Sequence, residues 1–152
     1  MGHRDTEEAR EALRRWRKIL RPYGHADVRR SVVQLLTSAP PFFLCWYASY
    51  RALSVSYWLT LGLAIPTAAF LTRLFLIQHD CGHGSYFKSQ KTADLVGFWT
   101  GVLTMTPYRY WRRTHAYHHA HSGDLGFRGF GDIDLITVSE YYGKPFLGRL
   151  RY

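Results

Sequence analysis

Residues 54–83 read SVSYWLTLGLAIPTAAFLTRLFLIQHDCGH, and the fold turns on that stretch. From Ala52 through Thr72 the chain carries no Asp, Glu, Lys or Arg. A helix rises about 1.5 Å per residue, so about 20 apolar residues cross a hydrocarbon core roughly 30 Å thick. The segment from about Ser54 to Ile77 is therefore predicted to be a transmembrane helix, kinked at Pro66. Arg73 would cost roughly 2.5–3.5 kcal/mol at mid-membrane, but near a helix end its guanidinium snorkels to the interface. The same helix then carries His79 and His83 to the membrane boundary or just beyond it.

Working outward, residues 31–50 are equally free of the four charged residue types and predict a first span. Pro40 and Pro41 predict a kink or a late start in it. Trp46, Tyr47, Tyr50, Tyr57 and Trp58 flank Arg51 as an aromatic belt does at the far interface. Upstream, residues 5–20 read as an amphipathic helix. Asp5 with Glu8 resembles a capping box, and Ala9, Ala12, Leu13, Trp16, Ile19 and Leu20 recur at helical spacing. Arg10, Arg14, Arg15, Arg17 and Lys18 surround that stripe, and Pro22 with Gly24 ends the helix. Such a helix suits the headgroup layer of an anionic leaflet. Residues 93–107 are apolar but too short to span, which predicts a re-entrant or interfacial helix stopping before Pro107.

The expected fold class is thus an all-α membrane protein. It has two transmembrane helices, an N-terminal interfacial amphipathic helix, a short re-entrant or interfacial helix and a cytosolic histidine-rich region. Residues 1–30 form a cytosolic basic N-terminus, and residues 31–152 form the remaining domain. Twenty Lys and Arg face eleven Asp and Glu, a formal charge of +9. In a soluble protein that balance would point to nucleic acid. Here the basic residues sit beside apolar spans, so no nucleic-acid partner is expected. Nine Lys/Arg precede residue 31, one lies between the spans and nine come after residue 83, which predicts that both termini and the histidines are cytoplasmic. The late, long first apolar stretch does not read as a signal peptide. Cys45 and Cys81 lie in different elements and suggest no disulfide framework.

Six of the eight histidines fall between His79 and His121. His79 and His83 form one cluster; His115, His118 and His119 form another. Residues three or four apart share one helix face, so each cluster presents several imidazoles together. Neutral imidazole is a common metal ligand. The absence of cysteine pairs argues against a structural zinc finger, and Asp80 stands where a zincin needs its glutamate. Asp80 and Asp124 are candidates to orient imidazoles by hydrogen bonds, Asp124 also reading as a turn residue after Gly123. His121 reads as a surface histidine, Asp132 and Asp134 as turn residues.

Two stretches carry a family resemblance. Ile77-Gln78-His79-Asp80-Cys81-Gly82-His83-Gly84-Ser85 resembles the first histidine box of the membrane-bound fatty acid desaturases. Thr106-Pro107-Tyr108 with Trp111-Arg112-Arg113-Thr114-His115-Ala116-Tyr117-His118-His119-Ala120 resembles the second. Arg128 to Ile133, Thr137-Val138 and Glu140-Tyr141 resemble the segment downstream of the second box in bacterial members. The resemblance implies a non-haem di-iron centre at the cytosolic face of a bacterial inner membrane, with His79, His83, His115, His118 and His119 as iron ligands. It also implies dioxygen as co-substrate and a ferredoxin or cytochrome b5-type electron donor. The substrate would be an acyl lipid, acyl-CoA or acyl-carrier-protein chain.

The family carries a third histidine box after two further spans, and neither occurs before Tyr152. The chain is therefore expected to be the N-terminal part of a desaturase, with little or no activity alone. The alternatives are a hydroxylase or ketolase of the same superfamily and a non-catalytic membrane metal-binding fragment.

Overall fold

The computed structural model describes residues 2–21, 24–128 and 135–152, and for residues 2–6, 8 and 9 the backbone alone. The Asp5–Glu8 capping box and the turns expected at Asp132 and Asp134 lie outside that description. The regular elements among the described residues are all helices, with no strand. The chain divides into two compact units, residues 1–108 and 109–152.

The first unit opens with α1 (Gly2–Leu20) and α2 (Val28–Leu36). Asp27 caps α2 by accepting from the backbone N–H groups of Arg29 and Arg30, two donors that the first turn leaves without helical partners. α2 ends at Leu36, and α3 (Ala39–Ala52) begins shortly after it with Pro40 and Pro41 in its first turn. The late start expected at the proline pair is what the structure holds. A proline ring clashes with the carbonyl four residues before it, so Pro40 and Pro41 forbid a continuous helix through Leu36 and Thr37. The apolar stretch 31–50 is consequently two helices. At about 1.5 Å per residue, α3 is about 21 Å long, short of a bilayer core.

α4 (Tyr57–Gly82) is 26 residues long, and it alone among the described helices is long and apolar enough to cross a membrane. It runs through Pro66 as one helix. Arg73 is accommodated by the break in the first stretch: its Nε donates to Ser38 Oγ at 3.2 Å and its Nη2 to Thr37 Oγ1 at 3.5 Å. Both hydroxyls in turn donate to carbonyls of α2, so the guanidinium meets oxygens already oriented toward it.

The second half of α4 is the centre of the core. Leu74, Ile77, Gln78 and Cys81 are fully buried at the i, i+3, i+4, i+7 spacing of one helix face. Leu74, Ile77 and Cys81 join Phe42, Tyr86, Phe87, Ala93 and Tyr108 in one apolar cluster. α4 stops in a Schellman motif: Gly84 N–H donates to Cys81 O and Ser85 N–H to Asp80 O, with Gly84 at φ +70°. The loop beyond it is fastened to α2 by a reciprocal pair. Ser31 Oγ donates to Tyr86 O, and Tyr86 Oη donates to Ser31 O at 2.6 Å. Burial, with the acidic groups of Cys81 and Asp80 adding to it, pushes the Tyr86 phenol well above its ordinary pKa.

α5 (Gln90–Leu103) packs on α4 through small residues, burying Ala93, Gly97, Thr100 and Gly101. Gly97 is required by close approach, since a Cβ there would lie 2.4 Å from Tyr108 Cε2. The Tyr108 hydroxyl donates to Asp94 Oδ1 at 2.8 Å, and Gln90 Nε2 donates to the same oxygen at 2.7 Å.

The second unit continues α6 (Tyr108–Ala120), then a single 3-10 turn (Leu125–Phe127), α7 (Val138–Gly143) and α8 (Phe146–Arg151). The rings of Tyr117, His121 and Phe127 gather into an aromatic cluster, with His121 4.2 Å from Tyr117 and 4.3 Å from Phe127 between centroids. Thr137 and Glu140 form a capping box at α7, and Arg128 Nη1 donates to both Glu140 oxygens at 2.8 and 2.9 Å. The backbone N–H of Thr137, then Arg128, hold the Glu140 carboxyl down at about 2.

Candidate metal centre

On α4 the buried stripe through Leu74, Ile77, Gln78 and Cys81 sets the helix's rotation about its own axis. His79 and His83, each a residue or two beyond a buried position, stand beside that stripe on a half-buried and an exposed site. Their Nε2 atoms converge to 3.2 Å. Asp80 Oδ1 lies 3.2 Å from His79 Nδ1. A carboxylate only accepts, so this contact selects the Nδ1–H tautomer and leaves the His79 Nε2 lone pair facing His83.

Gln78, next to His79, is fully buried, and no sequence signal singles it out. Its Oε1 accepts from Thr104 Oγ1 at 2.7 Å, tying α4 to the end of α5, while its Nε2 has no hydrogen-bond partner.

On α6, His115 and His119 bring their Nε2 atoms to 3.0 Å. The ring centroid of His118 lies 6.1 Å from that of His115 and 5.6 Å from that of His119. Trp111, one turn before His115, stacks on it at 4.5 Å with 17° between planes. That i, i+4 relation is readable in sequence, yet only the fold shows that the two rings lie parallel. Asp124 accepts from Gly126 N–H at 2.8 Å and caps the 3-10 turn. His121 Nδ1 lies 2.9 Å from Tyr117 O.

The distances within each pair suit a metal. Two ligands on one ion at about 2.1 Å stand about 3.0 Å apart at a right angle and about 3.4 Å apart at the tetrahedral angle. Each pair taken by itself fits adjacent positions on one ion. All-nitrogen donors of this kind suit iron, copper, nickel or zinc.

The fatty acid desaturase family model matches residues 54–152, about two thirds of the chain and both histidine clusters. The chain belongs to the fatty acid desaturase family. It is 44% identical over 135 residues to a fatty acid desaturase of Bacillus subtilis, covering 89% of this chain and 38% of that protein. It is 39% identical over 77 residues to the sn-1 oleoyl-lipid 12-desaturase of Anabaena variabilis, covering 50% of this chain and 22% of that enzyme. A Synechocystis sn-1 acyl-lipid omega-3 desaturase (ferredoxin) is 40% identical over 52 residues, covering 34% of this chain and 14% of that enzyme. The chain thus spans well under half the length of these desaturases. No solved structure matches it.

Proposed function

We propose that this chain supplies the first two histidine boxes of a dioxygen-dependent fatty acid desaturase. The observation that carries the proposal is the pair of i, i+4 histidine couples, each with Nε2 atoms 3.0–3.2 Å apart, in a chain of this family. His79, His83, His115, His118 and His119 would hold two non-haem iron ions. Bound iron supplies the oxidising power to remove hydrogen from an unactivated methylene, which no acid–base side chain can attack. The overall conversion balances as one saturated –CH2–CH2– unit, dioxygen, two electrons and two protons giving –CH=CH– and two waters.

The chain's own residues prepare the ligands. Asp80 keeps the His79 proton on Nδ1 and its Nε2 open to a metal. His83 Nε2, 3.2 Å from His79 Nε2, would offer the neighbouring ligand position once its own proton stood on Nδ1. Trp111 holds the His115 ring in one plane. Gln78 and Thr104 lock the end of α5 against the turn of α4 that precedes His79.

We further propose that α2, α3 and α4 occupy a bacterial inner membrane, with both termini and the histidines cytoplasmic. The charge asymmetry about the apolar stretches supports this. The substrate class is an acyl chain on a lipid, CoA or carrier protein, and the donor a ferredoxin or cytochrome b5-type protein. The relatives named as acyl-lipid and ferredoxin-dependent enzymes favour a lipid substrate and a ferredoxin. A direct test is anaerobic Fe(II) titration of the chain in nanodiscs, with bound metal counted by mass spectrometry. The wild-type chain is expected to retain iron, and H79A/H83A and H115A/H119A each to lose it. Equal iron in all three would sink the assignment. Oxygen-dependent appearance of unsaturated acyl chains in membranes expressing the protein, read by gas chromatography, tests the reaction itself.

A further inference from the structure

α1 carries an apolar stripe that no other described part of the chain covers. Leu13, Trp16, Ile19 and Leu20 are 57%, 60%, 50% and 57% exposed although they recur on one face of the helix. At 100° per residue these four and Ala12 fall in an arc about 120° wide, centred near Trp16. Arg15 and Arg17 stand on the two borders of that arc, about 100° to either side of Trp16. Arg10, Arg14 and Lys18 lie farther round, and the acidic Glu7 and Glu11 lie opposite the stripe. Between residues 10 and 21 there are six cations and one acid.

This arrangement selects an occupant. α1 from Gly2 to Leu20 carries six Lys/Arg and four Asp/Glu, with every acid at or before Glu11 and five of the cations from Arg10 onward, so the half bearing Leu13, Trp16, Ile19 and Leu20 is the strongly basic one. An anionic surface complements that charge. When the stripe sinks into the acyl boundary, the aliphatic stems of Arg15 and Arg17 go with it and their guanidinium groups reach phosphates on either side. Glu7 and Glu11 then point to water, away from the phosphates. Trp16, apolar in body with one N–H, suits the same depth. With α4 proposed to lie in a membrane, the leaflet is present at high effective concentration. We infer that α1 docks flat on an anionic phospholipid leaflet, with its stripe in the acyl boundary and Arg15 and Arg17 on lipid phosphates.

The chain reports this docking through trypsin. Full-length protein is placed in nanodiscs of phosphatidylcholine alone, or of phosphatidylcholine with phosphatidylglycerol. Cleavage between Arg10 and Arg21 is followed by mass spectrometry. Cleavage is expected to slow only in discs containing phosphatidylglycerol, and to recover at high salt. Each cation near an anionic surface is worth roughly fivefold in partitioning. R15Q/R17Q, a surface change, should therefore speed cleavage at the remaining sites by about 25-fold in those discs. L13S/W16S should do so as well, by removing the stripe. Equal cleavage in the two lipids overturns the proposal. So does protection in phosphatidylcholine alone that R15Q/R17Q leaves intact, which would mean that protein covers the stripe. The readout involves neither iron nor turnover, so it stands or falls apart from the desaturase assignment.

Discussion

His79 and His83 ride on a helix anchored by four wholly buried residues, Leu74, Ile77, Gln78 and Cys81. His115 and His119 ride on α6, whose single buried residue is Tyr108 at its start. Both pairs nonetheless bring Nε2 atoms to almost the same separation, 3.2 and 3.0 Å. The i, i+4 spacing accounts for that shared geometry, since it needs only a helix. What differs is how each pair is aimed. The first takes its direction from core packing and from the carboxylate of Asp80. At the second, the ring of Trp111 stacks on His115 at 4.5 Å.

The largest effect that would test this contrast is loss of a ligand. H79A and H115A should each abolish metal retention at their own pair, beyond the 10–100-fold typical of changes to a ligand's hydrogen-bond partner. Competitive Fe(II) titration in nanodiscs would measure it. If H79A also emptied the second pair while leaving helicity intact, the two supports would not be independent.

G97A comes next. Its methyl group would stand 2.4 Å from Tyr108 Cε2, which the buried ring cannot yield cheaply. A loss of about 1–3 kcal/mol is expected for such overpacking, read as a lower unfolding midpoint. D80A separates the pairs directly, because Asp80 contacts His79. Iron affinity should fall about 10–100-fold at the first pair and stay unchanged at the second. W111A, removing the stack on His115, is the matching change for the second pair and should cost about 0.5–1.5 kcal/mol.

Two helix ends supply a smaller comparison. α4 and α5 both finish in Schellman motifs, with Gly84 at φ +70° in one and Met105 at φ +54° in the other. G84A places a side chain in the left-handed region and should destabilise by about 1–2 kcal/mol. M105G relieves the same strain and should stabilise by about 0.5–1 kcal/mol. Thermal unfolding of the pair should move in opposite directions.

The smallest effect concerns pH. The Glu140 carboxyl is held at about 2, below its ordinary 4.5, by the N–H of Thr137 and by Arg128. A depressed folded pKa means stabilisation fully present above pH 4.5 and lost as pH falls toward about 2. The protection of the Thr137 and Glu140 amides, taken relative to intrinsic exchange at each pH, should fall across that window in the wild type. E140Q should show no such window.

Much of this organisation was legible in the residues. The length and apolarity of α4 follow from its composition, and the proline pair announces where α3 starts. The resemblance of both histidine clusters to desaturase boxes agrees with the family match over residues 54–152. The kink or late start expected at Pro40 and Pro41 is met as a late start, the stretch 31–50 dividing at Thr37 and Ser38 into α2 and α3. Spacing alone groups His115, His118 and His119 on one side of a helix, and the distances between their rings come from the fold.

By itself the sequence determined what interactions within about four residues decide. These are the existence of the helices, the stop at Gly84, the break before Pro40 and the two histidine couples. Only the tertiary structure decided which face of α4 is covered and therefore where His79 points. It also decided that Arg73 rests on Ser38 and Thr37, 35 and 36 residues away, and that Gln78 is buried against Thr104. Helix geometry is a local consequence of backbone hydrogen bonding, so nearby residues encode it. The rotation of a helix and the partners of its polar groups depend on elements distant in sequence, whose positions no local pattern contains.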